Sequence, residues 1–321
     1  MQWRPDRWSA AFGAIVVLVT ASCSTESSTE PATSTVDVTS SVASSVTTTI
    51  TMATTTTTAS STARIAETLA AADLARELTE AESAAARGDG SAGRRQQLLY
   101  RYLSAHAELD DAVLAGVTDE VRPSVERIIH ARQFAQARQA ANPGSAPPSA
   151  TLPAWTVVEP LPAAELLDEY RAAEVATGIA WYWLAAIHLQ ETRMGRIIGT
   201  SSAGAVGPMQ FLPSTWARCC TGDPTIPRQA ILGAGAYLAQ SGGPADMQAA
   251  LHEYNPSDTY VATVTAFAEN MRDNPNLYAA YHEWQVFYSS AAGTIRLPIG
   301  YSQAHPIDAA AYLADHPQDA G

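Results

Sequence analysis

Residues 181–196 read WYWLAAIHLQETRMGR. Trp181, Leu184, His188 and Glu191 recur at steps of three, four and three, which puts them on one face of a helix. Gly195 is expected to stop it. Glu191 then stands in the last turn, on a face that is otherwise largely apolar. Burial disfavours the carboxylate anion. The negative end of the helix dipole disfavours it too. Both raise the pKa, as a general acid working near neutrality requires. Arg193 and Arg196 would act the other way if they point inward. A solvated glutamate at a helix end is the plain alternative.

Downstream, residues 200–216 read TSSAGAVGPMQFLPSTW. Gly204 and Gly207 allow tight turns, and Pro208 and Pro213 restrict the chain, so a rigid loop is expected to follow the helix. Helices are expected to start near Pro227 and Pro244, each with proline in its first turn. The second ends at Glu253-Tyr254-Asn255-Pro256, and Ser257 is the N-cap of a helix carrying Tyr260. Trp284, Val286 and Tyr288, then Gly293, Ile295 and Leu297, alternate as a β-hairpin does. A short helix over Pro306 to Ala314 is expected in an otherwise loose tail. His188 and His252 read as packed or solvated residues, and Met209 as either core or groove wall. Neighbouring Cys219 and Cys220 leave three states open: a strained bridge between them, free thiols, or a bridge to another molecule.

Upstream, Ile65, Leu69, Leu74 and Leu78 lie in an Ala- and Glu-rich run, Ala63 to Ala86, that favours helix. A second amphipathic run carries Leu99, Tyr102, Leu103, His106, Leu109, Val113 and Leu114. Gly116 and Pro123 interrupt it, and Val125 to Ala140 resumes it. Heptads are not sustained, so these helices read as a hairpin or stalk rather than a coiled coil. His106 and His130 lack a metal-ligand spacing.

Arg4 and Arg7 precede about ten apolar residues ending at Val19-Thr20-Ala21-Ser22-Cys23. That run is too short to span a bilayer, which takes about 20 residues, and reads as a secretory signal peptide. About two-thirds of residues 24–62 are Ser or Thr. Such a stretch cannot bury a core and is expected to be a disordered tether, with ends on the order of 35 Å apart.

The chain has 321 residues, 46% of them hydrophobic and 16% charged, with a formal charge of −13. An acidic chain lacks the basic face that nucleic acid or an anionic membrane surface requires. All 19 of its cationic residues are Arg. Schiff-base chemistry at lysine and a lysine-bearing phosphate loop are therefore excluded.

Three stretches in order, IHLQETRMGR, SSAGAVGPMQFLPSTW and ALHEYNPSDTYV, resemble the catalytic domain of bacterial lytic transglycosylases. The nearest likeness is to the membrane-bound B-type branch and its actinobacterial relatives, over roughly Leu161 to Tyr301. The resemblance implies a lysozyme-like, mainly α fold with a small β-hairpin and a groove for glycan strands. It implies cleavage of the MurNAc–GlcNAc bond of peptidoglycan with a 1,6-anhydro product. Glu191 matches the catalytic acid/base. Ser201, Met209, Gln210, Tyr254, Asn255 and Tyr260 match substrate-binding positions. Thr192 follows the catalytic Glu where many relatives have Ser. The calcium loop of some relatives is missing between Trp216 and Asp223, so no metal and no cofactor are expected. The residues around Cys23 resemble a lipobox, although Thr20 stands where Leu is usual. That likeness implies lipidation of Cys23 and anchoring to the outer face of the cytoplasmic membrane.

The expected organisation is a signal peptide (1–22), a lipidated tether (23–62), a helical stalk (63–141), a linker (142–153), a catalytic domain (154–301) and a tail (302–321). Peptidoglycan strands are the expected partner, the membrane is contacted through the lipid, and the stalk offers a surface to a cell-wall protein. Two alternatives stay open: a hydrolytic muramidase on the same fold, and a non-catalytic cell-wall-binding lipoprotein. A muramidase would need a second carboxylate, for which Asp223, Asp246, Glu253 and Asp258 are candidates.

Overall fold

A computed structural model describes residues 69–141 and 147–321. The expected signal peptide, lipidated Cys23 and tether lie outside the described residues, as do the first residues of the first expected helix and part of the linker. The protein is mainly helical, with short antiparallel strand pairs. Helices Ala71–Ala86 (α1), Ala92–Ala105 (α2), Asp110–Gly116 (α3) and Arg122–Ala140 (α4) come first. Strands Thr151–Leu152 (β1) and Thr156–Val157 (β2) follow. Next come helices Ala163–Thr177 (α5) and Trp181–Thr192 (α6) and strand Ile197–Ile198 (β3). Helices Pro213–Cys219 (α7), Pro227–Gln240 (α8), Met247–Tyr254 (α9), Asp258–Asp273 (α10) and Leu277–His282 (α11) complete the bundle. The chain ends with strands Val286–Ser290 (β4), Gly293–Leu297 (β5) and Ile307–Asp308 (β6) and helix Ala309–Asp315 (α12).

The apolar α6 is the centre of the bundle. Leu184 through Leu189 are all buried, and α5, α8, α10 and α11 pack around them. A helix that is apolar all round needs cover on every side, and these four supply it. At 12 residues it is about 18 Å long. Among the described residues no helix is long and apolar enough to cross a membrane.

The helix ends at Thr192, three residues before Gly195. Arg193 and Met194 both take left-handed backbone angles, φ 55° and 59°. Non-glycine residues reach that region at a cost, so surrounding contacts must hold them there. The Arg193 guanidinium donates to the Leu189 carbonyl, the Met194 amide to His188 O, and the Tyr170 hydroxyl to Met194 Sδ. The helix expected to begin at Pro244 begins instead at Met247. Asp246 caps it, accepting from the Ala249 amide, while Pro244 sits in the preceding turn. Ser257 caps α10 as expected, accepting from the Tyr260 amide. Cys219 and Cys220 form a bridge between neighbours, the first of the three states left open.

The upstream helices α1 to α4 share one hydrophobic core with α5 to α11, from Leu74 through Trp284. A lone hairpin has no surface against which to bury Leu74, Leu78, Leu99 and Leu103; here α10 and α11 provide it. Buried polar groups join the two sets of helices. The Trp284 indole donates to Gln96 Oε1 at 2.9 Å, and the Gln97 amide to Gln285 O at 2.9 Å. The second amphipathic run is not one helix. It breaks at His106, and the break turns Asp110 towards the buried Arg132.

The expected hairpin is present as β4 and β5, paired Val286↔Leu297 through Ser290↔Gly293. It anchors a smaller core with Leu152, Trp155, Ile197, Tyr301 and Tyr312. The tail is not loose. β6 pairs with β1, and the buried Asp319 accepts from Arg296 at 2.6 Å and from the Tyr312 hydroxyl at 3.0 Å.

Candidate active site

Glu191 lies one residue from the C-terminal end of α6 and is 9% exposed. Across from it stand Tyr254 at the end of α9 and Tyr260 in the first turn of α10, their rings parallel within 6° and 6.4 Å apart. The fold brings them together because α10 packs along α6 and α9 leads directly into α10. Burial raises the Glu191 pKa from 4.5 to about 7. The Tyr260 hydroxyl faces the carboxyl and lowers that value somewhat, although its alignment falls short of a well-formed hydrogen bond. Burial and the Glu191 charge hold both tyrosines well above the usual phenol range, so they stay protonated donors.

The two arginines play no part in this balance. Arg196 turns away, donating to Trp284 O at 3.0 Å and His282 O at 2.8 Å. Arg193 is spent on the Leu189 carbonyl; burial and the Arg101 charge lower its pKa to about 9. His188 is fully buried beside Tyr170, its Nδ1 2.7 Å from that hydroxyl, and burial lowers its pKa to about 3. It is a packed neutral residue, in line with its reading.

The loop after α6 forms one side of the site. Val206 and Phe211 bond to each other in both directions, closing a tight turn that holds Gln210 at φ 49°. Gly207 is required there: its φ is +78°, and an added Cβ would sit 1.9 Å from Pro224 O. The Gln210 amide folds back onto Gly207 O at 2.9 Å, leaving its carbonyl end free of that bond. Ser201 closes its own turn, its hydroxyl accepting from the Ala205 amide at 3.0 Å. Met209 needs correction as a sugar-contacting side chain. It is 0% exposed and belongs to the core, so its contribution is its carbonyl, which accepts from the Tyr254 hydroxyl at 2.6 Å. Asn255 is half-buried directly after Tyr254 and caps α9 through its backbone.

Two supports escaped the sequence reading. Phe211 packs edge-on against Tyr254 at 5.5 Å, and Tyr237 against Tyr254 at 5.7 Å, which fixes the Tyr254 ring. Their separation along the chain leaves no local signal. The other is Thr192, visible only as a departure from the usual Ser. Its buried hydroxyl donates to Pro208 O at 2.6 Å and accepts from the Gly195 amide at 3.2 Å. It ties the end of the helix carrying Glu191 to the loop carrying Met209 and Gln210. Thr192→Val keeps the shape but leaves both partners unpaired. We expect a loss of about 1–3 kcal/mol in thermal or urea unfolding, with Thr192→Ser close to wild type.

The four candidate second carboxylates have other tasks. Asp223 accepts from Thr225, Asp246 caps α9, and Asp258 pairs with Arg138. Glu253 acts on Tyr237, whose hydroxyl donates to the Glu253 carbonyl. None of the four contributes to the Glu191 shift. Among the described residues no group of three or more His, Cys, Asp or Glu side chains is placed to hold a metal ion.

In sequence the chain is similar to a membrane-bound lytic murein transglycosylase F of Thiobacillus denitrificans, 27% identical over 147 residues. The match covers 43% of this chain and 31% of that relative, so the chain spans about a third of the relative's length. No family model matches the chain, and no solved structure matches it.

Proposed function

We propose that the protein is a peptidoglycan lytic transglycosylase, cleaving the MurNAc–GlcNAc bond and leaving a 1,6-anhydro-MurNAc end. The observation that carries this reading is Glu191: one buried carboxyl with a pKa near 7, faced by two protonated tyrosines and shifted by no second carboxylate. Such a group can give a proton and take one back at neutral pH. In this reading Glu191 protonates the glycosidic oxygen. The oxocarbenium-like sugar is assisted by its own acetamido group, with Asn255 and Tyr254 beside it. Glu191, now a base, takes the proton of the muramic 6-hydroxyl as that oxygen closes on the anomeric carbon. The substrate supplies the nucleophile, so one carboxylate suffices. Ordinary glycosidases instead set two about 5–9.5 Å apart. Tyr260, Gln210 and Ser201 bind the sugar, and Met209 acts through its carbonyl on Tyr254. The similarity to a murein transglycosylase supports the same class. Lipidation at Cys23 and an envelope location at the outer face of the cytoplasmic membrane belong to this proposal.

The test is mass spectrometry of purified peptidoglycan after digestion with the full chain. Anhydro-ended muropeptides are expected. Reducing ends carrying one added water would replace the proposal with a muramidase, and absence of any released fragment would favour a binding protein.

A further inference from the structure

The bridge between Cys219 and Cys220 closes the smallest loop that a disulfide can. A cross-link gains stability from the freedom it removes from the unfolded chain, and neighbours have little of it to lose. Stapling therefore does not account for this bridge. Its surroundings point to another role. Both cysteines are half-buried at the end of α7, between exposed Ala217 and Arg218 on one side and exposed Thr221 and Gly222 on the other. Disulfides open to solvent are the ones that exchange with outside thiols.

The segment carrying the bridge wraps Trp216. The indole Nε1 donates to Gly222 O at 3.0 Å, and the Cys220 amide donates to Trp216 O at 3.0 Å. Gly233 on α8 lets the ring and the sulfur converge: a Cβ added there would lie 2.4 Å from Trp216 Cζ3 and 3.3 Å from Cys220 Sγ. The buried Trp216 ring meets Phe211 edge-on at 5.0 Å, and Phe211 meets Tyr254 at 5.5 Å. A continuous line of contacts thus runs from the bridge to a tyrosine that faces Glu191. The thiol state has partners in place as well. Cys219 Sγ lies 3.9 Å from Trp216 O and Cys220 Sγ 3.6 Å from Gly233 O, so each S–H would find an acceptor. When the bond breaks, the sulfurs part from bonding to van der Waals distance, and the close-packed Trp216 and Gly233 are what they part against.

We propose that Cys219–Cys220 is a thiol–disulfide exchange site, whose bridged form holds Trp216, and through Phe211 holds Tyr254, in place beside Glu191. The co-reactant is a dithiol reductant. One of its thiolates attacks a bridge sulfur, releasing one protein thiolate and forming a mixed disulfide. Its second thiol then attacks the reductant's own sulfur in that mixed disulfide, closing the reductant's disulfide and releasing the second protein thiolate. Two electrons and two protons pass to the protein, which ends with two thiols. The inference rests on the glycan-cleaving reading of Glu191. The full chain is equilibrated in dithiothreitol buffers of graded reduced-to-oxidised ratio, assayed on purified peptidoglycan, and alkylated with iodoacetamide for mass analysis. We expect thiols at Cys219 and Cys220 to appear together and kcat to fall about threefold to tenfold in step with them, with KM little changed and full recovery on reoxidation. Cys219→Ser combined with Cys220→Ser is expected to stay at the reduced level in every buffer. Cys23 remains in that variant, so a response that persists there would assign the effect elsewhere and overturn the site. Equal kcat in bridged and reduced chains would also overturn it, while the Glu191 reading stands. A chain inactive in both states would remove the Glu191 reading and the coupling with it.

Discussion

Glu191→Gln is expected to lower kcat/KM on purified peptidoglycan by about 10³-fold and, at the same time, to make the protein more stable. General acid–base catalysis by one positioned group contributes about 10²–10⁴-fold. In the proposed mechanism one group acts in both directions, so a loss no smaller than the middle of that range is expected. The gain in stability follows from the same burial. In the unfolded chain Glu191 ionises from its ordinary value of 4.5, and in the folded protein only from about 7. Between those values the unfolded state binds fewer protons, so stability falls as pH rises through the window. Below pH 4.5 the contribution is complete, and above pH 7 it is gone. Glutamine has no proton to lose and escapes the penalty, which amounts to roughly 3 kcal/mol on the alkaline side. Urea unfolding at pH 5 and pH 8 checks it: the variant gains at pH 8 and little at pH 5. Wild-type activity is expected to fall above about pH 7 as the acid ionises. An equal stability change at both pH values would mean that Glu191 titrates in the folded protein as it does in water.

Arg132→Ala has the largest expected effect on stability, about 3–5 kcal/mol. Arg132 is 2% exposed and pairs with the buried Asp110 through Nη2, while its Nη1 donates to Leu103 O at 2.8 Å. Removing it leaves the Asp110 carboxylate buried, with the Gln133 amide as its remaining side-chain donor at 2.9 Å. An unpaired buried charge costs far more than an absent pair. Arg132→Met combined with Asp110→Leu is therefore expected to recover most of the loss. Equilibrium unfolding of the single and double variants decides it. A single-variant loss under about 1 kcal/mol would show that water reaches Asp110 and that the α2–α3–α4 corner opens readily.

The site divides into parts that local pattern reveals and parts that it does not. The spacing of Trp181, Leu184, His188 and Glu191 announces a helix with one largely apolar face, because residues three and four apart share a face; that neighbours cover the helix on its other sides comes from the packing. The Ser257 cap and the Val286–Leu297 hairpin are likewise written in adjacent residues. Glu191 stands out as a candidate acid from its place on an apolar face, and the three resemblance motifs supplied the other candidate positions. Met209 could not be told from a groove residue, since an apolar side chain in a glycine-rich loop suits either place. Phe211, Tyr237 and Thr192 act on the site through contacts made across separate elements.

Helix termini show the same division. Gly195 is a natural stop, yet α6 ends at Thr192, because Leu189 O, His188 O and the Tyr170 hydroxyl hold Arg193 and Met194 in left-handed geometry. Spacing and capping are interactions between residues a few positions apart, so they set which segments are helices, which face of each is apolar, and that Glu191 sits at a helix end. The pKa of Glu191, the pairing of Tyr254 with Tyr260 and the placing of α1 to α4 against α10 and α11 depend on surfaces far apart in the chain. Burial is a property of those surfaces meeting, and here it turns an ordinary glutamate into an acid poised near neutrality.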